Sequence, residues 1–294
     1  MSINGIVVPV VTPLTKQYTL DRACFVRLLR KLVAARVGGI FVAGTSGLGP
    51  VLTTKILDKT LRLARETVGD AVPLLGGAME ASTPRTIERI RLLRNWGYQY
   101  FVCAAPYYIK AADNESLFAH FAACAKAFPD MKMCIYNIPF CVGGAIPLAV
   151  VSRMARELPL CLAKDSGGDA AYFTALCRIG NEFDFPVFQG LRPDFRTLIR
   201  EKAAGCVPVI GNIFPDMLVK LWLRASKGDF DDNGQQFVNR AWEALVKPND
   251  FLSGTLFAMS LLGEGTGTTL PVIPVPDAVR KKIIADLINS IKGK

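Results

Sequence analysis

The chain has 294 residues, 51% of them hydrophobic and 20% charged, which supplies one large core and excludes a disordered polymer. Its apolar runs stop after roughly eight residues, far short of the ~20 a bilayer-spanning helix needs. The formal net charge of +10 is spread along apparent helices without a basic tail or interleaved aromatics, which argues against a nucleic-acid surface and for a small anionic substrate.

Taken in chain order, short β-rich apolar runs recur about every thirty residues, each followed by Gly or polar residues and then by helical spacing. The runs are Gly5 to Val11, Gly39 to Ala43, Val72 to Leu75, Tyr100 to Ala104, Met133 to Tyr136, Leu160 to Ala163, Pro186 to Gln189 and Gly205 to Ile210. The intervening helices are expected over 21–35, 53–68, 83–96, 114–128, 147–158, 169–179, 193–204 and 215–226. Eight alternating units with strands apolar on both faces predict an α/β fold, a (β/α)8 TIM barrel of parallel strands. An open doubly wound sheet is the competing architecture, but no Gly-x-Gly-x-x-Gly fingerprint follows the first strand and no Walker lysine appears.

Beyond the eighth unit only helical segments remain, over 232–245, 250–262 and 276–291. The reading is a barrel domain over residues 1–226 and a C-terminal helical appendage over 227–294, with Pro248 at one boundary and the Pro/Gly-rich stretch from Gly263 to Pro276 at the other. The start, Met1 to Gly5, lacks the basic segment of a signal peptide, so a soluble cytoplasmic protein is expected.

Eight cysteines (Cys24, Cys103, Cys124, Cys134, Cys141, Cys161, Cys177 and Cys206) are scattered without a Cys-x-x-Cys pair, which fits reduced thiols rather than a disulfide framework or zinc site. His120 is the only histidine. It lies on a helical stretch with no nucleophile motif nearby and reads as structural, and a histidine-based metal site is ruled out by count.

In a β/α barrel the site is built where strands end. The second strand ends in Gly44-Thr45-Ser46-Gly47-Leu48-Gly49-Pro50, whose hydroxyls and successive amides suit a carboxylate. The fourth ends in Pro106-Tyr107-Tyr108 and the fifth in Tyr136-Asn137-Ile138-Pro139, tyrosines that serve equally as packing or as proton carriers. The sixth ends in Lys164-Asp165-Ser166-Gly167-Gly168-Asp169. A lysine at the mouth of a buried strand is either a solvated residue or a nucleophilic amine.

The seventh strand ends in Gln189-Gly190-Leu191-Arg192, where Arg192 can pair with a carboxylate or phosphate or lie free on the surface. Gly190, Arg192, Ile210 and Cys141 are the candidates for the distal part of a substrate. Hydroxyls on strand two, tyrosine on strand five and lysine on strand six, with no metal set or redox motif, together describe a carbonyl enzyme that works through an imine.

These motifs, with Val10-Val11-Thr12-Pro13 near the start and Leu270-Pro271 before the last helix, resemble the dihydrodipicolinate synthase and N-acetylneuraminate lyase superfamily over nearly the whole chain. The resemblance implies that Lys164 forms the imine with pyruvate or a longer 2-oxo acid, that Tyr136 acts as acid and base, and that Thr45 and Ser46 bind the carboxylate. It further implies that Thr45 links Tyr136 to Tyr108 in a proton relay, with Tyr108 reaching in from a neighbouring subunit. A homotetramer built as a dimer of dimers follows, and no cofactor is required.

Three departures bear on the substrate. Cys141 stands where dihydrodipicolinate synthases resemble one another in having an arginine for the aldehyde partner's carboxylate. Leu48 replaces the usual glutamate and makes the loop similar to that of 2-keto-3-deoxygluconate aldolases. Gly190-Leu191-Arg192 replaces the acidic residues that hold sugar hydroxyls. The implied activity is a class I aldolase or lyase that reversibly cleaves a 2-oxo acid, a 2-keto-3-deoxy sugar acid, into pyruvate and an aldehyde. Dihydrodipicolinate synthase-type condensation and dehydration of a sugar acid share the imine, and a non-catalytic 2-oxo acid sensor is the reading outside enzymes.

Overall fold

The structure, a computed structural model, describes residues 3–246, 250 and 252–292. Eight strands close a parallel barrel in sequential order: β1 Gly5–Pro9, β2 Gly39–Val42, β3 Leu74–Gly77, β4 Tyr100–Cys103, β5 Lys132–Asn137, β6 Leu160–Asp165, β7 Val187–Gln189 and β8 Gly205–Cys206. Helices follow as α1 Arg22–Ala34, α2 Thr54–Val68, α3 Thr83–Asn95, α4 Asn114–Ala127, α5 Pro139–Val142, α6 Leu148–Glu157, α7 Ala170–Glu182, α8 Phe195–Arg200 and α9 Pro215–Ala225. Three more, α10 Asp232–Leu245, α11 Ser253–Leu261 and α12 Ala278–Lys292, form the C-terminal part. The (β/α)8 TIM barrel is therefore the observed fold.

Strand alternation explains why these runs are apolar throughout. Ile6 and Val8 pack outward against helices while Val7 packs inward, and Phe101 with Cys103 alternates with Tyr100 and Val102 in the same way. The lumen is filled by Val7, Phe41, Leu75, Val102, Leu162 and Phe188, so the barrel is a packed core and not a pore. Helix starts are set by aspartates: Asp21, Asp113, Asp169, Asp194 and Asp231 each accept a main-chain amide from the first turn. Each such cap contributes about 1 kcal/mol.

The expected strand from Gly205 to Ile210 is shortened to two residues, and Val209–Asn212 forms a 3-10 turn instead. Pro208 has no amide to continue the ladder. The side chain of Asn212 replaces it: its Oδ1 accepts the Val11 amide at 3.1 Å, and its Nδ2 donates to Pro9 O at 3.1 Å and Val209 O at 2.8 Å. The third strand runs two residues past its expected end through Gly76 and Gly77, and a Cβ on Gly77 would strike the Ala43 carbonyl. Helix α5 was not anticipated, because four residues are too few to show a period.

The C-terminal helices share the barrel's outer apolar layer through Val238, Leu245, Leu256, Met259, Ile284 and Ile288. Arg280, buried on α12, pairs with Asp250 and donates to the carbonyls of Ala244 and Leu245, tying α12 to the end of α10. Pro248, read above as a boundary, lies outside the described residues. Among the described residues no helix is long and apolar enough to cross a membrane, and no group of three or more His, Cys, Asp or Glu side chains is placed to hold a metal.

His120 is buried on α4 with Nδ1 2.9 Å from Thr83 Oγ1, beside the main chain of Ala104 just past β4. Burial lowers its pKa from 6.5 to about 4, so it is neutral at pH 7. The unfolded chain then binds a proton between those values that the folded chain does not. Its contribution to stability is complete above pH 6.5 and is lost as pH falls towards 4, by about 3 kcal/mol at the limit. In urea titrations at pH 7 and pH 4.5, His120→Gln should lose less stability on acidification than the unmodified chain; parallel losses would contradict this assignment.

Candidate active site

The ladder places Tyr136 directly beside Lys164 and Asn137 beside Asp165, at the C-terminal ends of β5 and β6. Lys164 lies inside its strand, one step earlier than expected, and points into the lumen with 6% of its surface exposed. Its Nζ sits 3.9 Å from the centroid of the Tyr136 ring and 5.3 Å from that of Phe41. Those two rings meet edge to face at 6.2 Å. The amine is thus walled by aromatic faces at the bottom of the mouth.

Tyr136 is 3% exposed, and its hydroxyl accepts a hydrogen bond from Ser166 Oγ at 3.3 Å. Ser166 had no assigned role in the sequence reading. The signal was present, since a residue two places beyond Lys164 on an extended chain shares its face. Behind the pair, Asn137 Nδ2 donates to Asp165 Oδ1 at 2.7 Å, and the same oxygen accepts the Gly167 amide at 3.0 Å. Asn137 Oδ1 also accepts the Ile146 amide at 2.9 Å. Burial pushes the Asp165 carboxyl above its ordinary pKa, and these two donors partly offset the shift. This buried network fixes the tips that carry Tyr136 and Lys164.

Gly190 closes the third side. Its amide donates to Asp165 O at 2.6 Å, and a Cβ built on it would overlap Ser166 Oγ and come within 2.6 Å of Lys164 Cε. Gly190→Ala should therefore displace Lys164 and lower the rate of imine trapping by about 100-fold, the cost of an ångström-scale misplacement. Overpacking should cost about 1–3 kcal/mol of stability. Trapping at the unmodified rate, read by mass spectrometry, would show that the lysine does not need this space.

The β2 loop is folded back on itself. Gly49 N bonds to Gly44 O at 3.0 Å, Leu48 N to Thr45 O at 3.1 Å, and Thr12 Oγ1 donates to Gly47 O at 2.7 Å. Ala43 and Leu48 both adopt positive φ, 54° and 59°, a strained conformation held by its surroundings. Ser46 is buried and Thr45 half-buried, and their amides donate to no acceptor among the described residues. Outside the loop, buried Glu80 pairs with Arg85 at 3.1 Å and with Arg89, and Arg89 reaches Gly49 O at 3.3 Å. That brace was not legible in the sequence.

The remaining candidates are dispersed. Tyr108 is 95% exposed at φ 72°, so within one chain it does not meet Tyr136, and the partner of the Tyr136 hydroxyl is Ser166 rather than Thr45. Its neighbour Tyr107 packs against the lumen instead, and burial, helped by Glu80, raises its phenol pKa. Arg192 is half exposed and leans 3.9 Å from Glu243 on α10. Cys141 is exposed on α5; partial burial raises its thiol pKa and Lys164 opposes the shift. Ile210 is a correction. It is 0% exposed, and its carbonyl accepts the Ile213 and Phe214 amides, because the 3-10 turn after β8 drives it into the outer layer.

A profile of the dihydrodipicolinate synthetase family matches residues 2–289. The chain belongs to that family. The family lies within the dihydrodipicolinate synthase and N-acetylneuraminate lyase superfamily of pyruvate-dependent lyases. A 4-hydroxy-tetrahydrodipicolinate synthase of Corynebacterium aurimucosum is 30% identical, over 95% of this chain and 90% of the relative. The enzyme of the same name from Corynebacterium urealyticum is 29% identical, over 95% and 92%. Among solved structures, the family member YagE of Escherichia coli K12, determined in complex with pyruvate, superposes with a TM-score of 0.90 at 25% identity over 98% of both chains. A monomeric dihydrodipicolinate synthase variant superposes at 0.91 with 20% identity, over 98% of this chain and 96% of the other.

Proposed function

We propose that this family member is a class I aldolase that reversibly cleaves a 2-oxo acid, a 2-keto-3-deoxy sugar acid, into pyruvate and an aldehyde. The observation that carries the reading is the Lys164 amine 3.9 Å from the Tyr136 ring, with Ser166 on the phenol oxygen. Lys164 Nζ adds to the C2 carbonyl. Tyr136 gives its proton to the departing hydroxyl, water leaves, and an iminium forms. The resulting phenolate takes the proton of the C4 hydroxyl, the C3–C4 bond breaks, and its electrons pass into the iminium to give an enamine and a free aldehyde. Return of the proton to C3 and hydrolysis release pyruvate. Thr45 and Ser46 hold the carboxylate with the amides of their loop, and the sequence requires no cofactor.

A second reading is condensation of pyruvate with an acidic aldehyde, as the names of the relatives suggest. The observation in its favour is Lys110, whose Nζ would lie 2.6 Å from a Cβ on Gly143, two residues beyond Cys141. An ammonium at that turn can take the place of the absent arginine. A tetramer built as a dimer of dimers belongs to the same proposal, supported by Tyr108 and Ile109, apolar side chains left exposed beside the mouth.

Borohydride with pyruvate tests the imine, which should add a stable mass to the peptide containing Lys164. A panel of aldehydes with pyruvate, read by pyruvate consumption, then separates the readings. Consumption with neutral sugar aldehydes supports the aldolase, consumption with acidic aldehydes alone supports the second reading, and water loss from a sugar acid without pyruvate release contradicts both.

A further inference from the structure

The base of the β5–β6 ladder is irregular. Met133 pairs with Leu160 but Cys134 pairs with Leu162, which leaves Cys161 as an extra residue on β6. A bulge of this kind re-aims a side chain to the face it would otherwise leave. Leu160 packs into the outer layer, whereas Cys161 and Leu162 in succession both pack against the lumen. Cys134 faces the lumen from the neighbouring strand and is fully buried, so the two thiols project to the same side of adjacent strands one register step apart.

Below them a cavity of about 710 Å³ opens at the N-terminal end of the barrel, lined by Cys161, Lys132, Tyr100 and Lys202 among others. Lys132 Nζ stands 3.4 Å from the Tyr100 hydroxyl. Cys161 is partly exposed to this cavity, and the neighbouring Cys134 thiol, with Lys132, lowers its thiol pKa against the opposing effect of burial. Burial pushes the Cys134 thiol well up. Cys161 is accessible from the cavity while Cys134 is fully buried, an asymmetry that separates an attacking sulfur from a resolving one.

We propose that Cys161 is a peroxide-reactive thiol on the floor of the barrel and that Cys134 resolves its oxidised form into a disulfide. The Cys161 thiolate attacks one oxygen of hydrogen peroxide, the O–O bond breaks, and hydroxide leaves to give a sulfenic acid. The Cys134 sulfur then attacks the Cys161 sulfur, the S–O bond breaks, and water leaves. The two thiols lose two hydrogens and two electrons, and the peroxide becomes two waters. The bond would tie β5 to β6 two residues below Tyr136 and three below Lys164.

The test uses the full-length reduced chain, exposed to a small excess of hydrogen peroxide, alkylated and mapped by mass spectrometry. A loss of about 2 Da, a cross-linked peptide pair containing Cys134 and Cys161, and reversal by dithiothreitol are expected. Cys161→Ser should abolish the mass loss, and Cys134→Ser should leave a sulfenic acid at Cys161 that dimedone captures. Cys161 alkylated as fully after peroxide as before, or oxidised Cys161 beside a still alkylated Cys134 in the unmodified chain, would overturn the proposal without recourse to either variant.

Discussion

Lys164→Ala should abolish pyruvate trapping by borohydride and lower turnover by at least ~10,000-fold, the scale of losing a residue on which every covalent step depends. The expectation rests on position. The lysine is the residue of β6 that faces Tyr136 across the ladder, and its amine is enclosed by two aromatic rings. Lys164→Arg should be equally inactive, since a guanidinium stays charged and offers no nucleophile. A thermal midpoint close to that of the unmodified chain is the control for folding. Residual trapping on the Lys164→Ala chain would show that another amine carries the imine and would remove the basis of the proposed function.

Tyr136→Phe should separate proton transfer from binding. Its turnover number should fall roughly 100- to 10,000-fold, the range expected for loss of a positioned acid and base, with little change in the KM for the 2-oxo acid. The ring that packs against Phe41 and covers the Lys164 amine is retained; the one group lost is the hydroxyl that Ser166 touches at 3.3 Å. An imine should still form with pyruvate, more slowly. A Tyr136→Phe chain with raised KM and unchanged turnover would assign the tyrosine to binding alone.

Much of this architecture is legible in the chain because strand periodicity and burial act locally. Seven strands fall close to where apolar runs end in Gly or polar residues, since a strand buried on both faces has no other composition available to it. The eighth is shorter than its run, because Pro208 ends the ladder while the apolar side chains continue into a turn. Lys164 is placed one step late for the opposite reason: its polarity suggests a strand end, but the ladder is made of main-chain bonds and continues through it. The site's partners depend on tertiary placement. Ser166, Gly190 and the Glu80–Arg89 brace acquire meaning only when β3, β6, β7 and the β2 loop converge, and Arg192 faces Glu243 only because α10 packs against the loop between β7 and α8 through Gln235. The bulge at Cys161 leaves no trace in composition, because cysteine and leucine are both at home in a buried strand.

The Asn212 side chain that completes the seam between β1 and β8 also sets a condition on assembly. The bond it makes to Val11 spans 201 residues of sequence, whereas neighbouring strands elsewhere are consecutive in the chain and join across one or two helices. Ring closure is therefore the strand pairing with the longest loop, and its entropic cost is met only once the intervening units are in place. A chain ending before β8 would present two open sheet edges, at β1 and β7, each a template for another chain. The main chain closes that seam over only two residues of β8, and the Asn212 amide carries it on to Pro9 and Val11, so the last join of the ring is also among its shortest ladders.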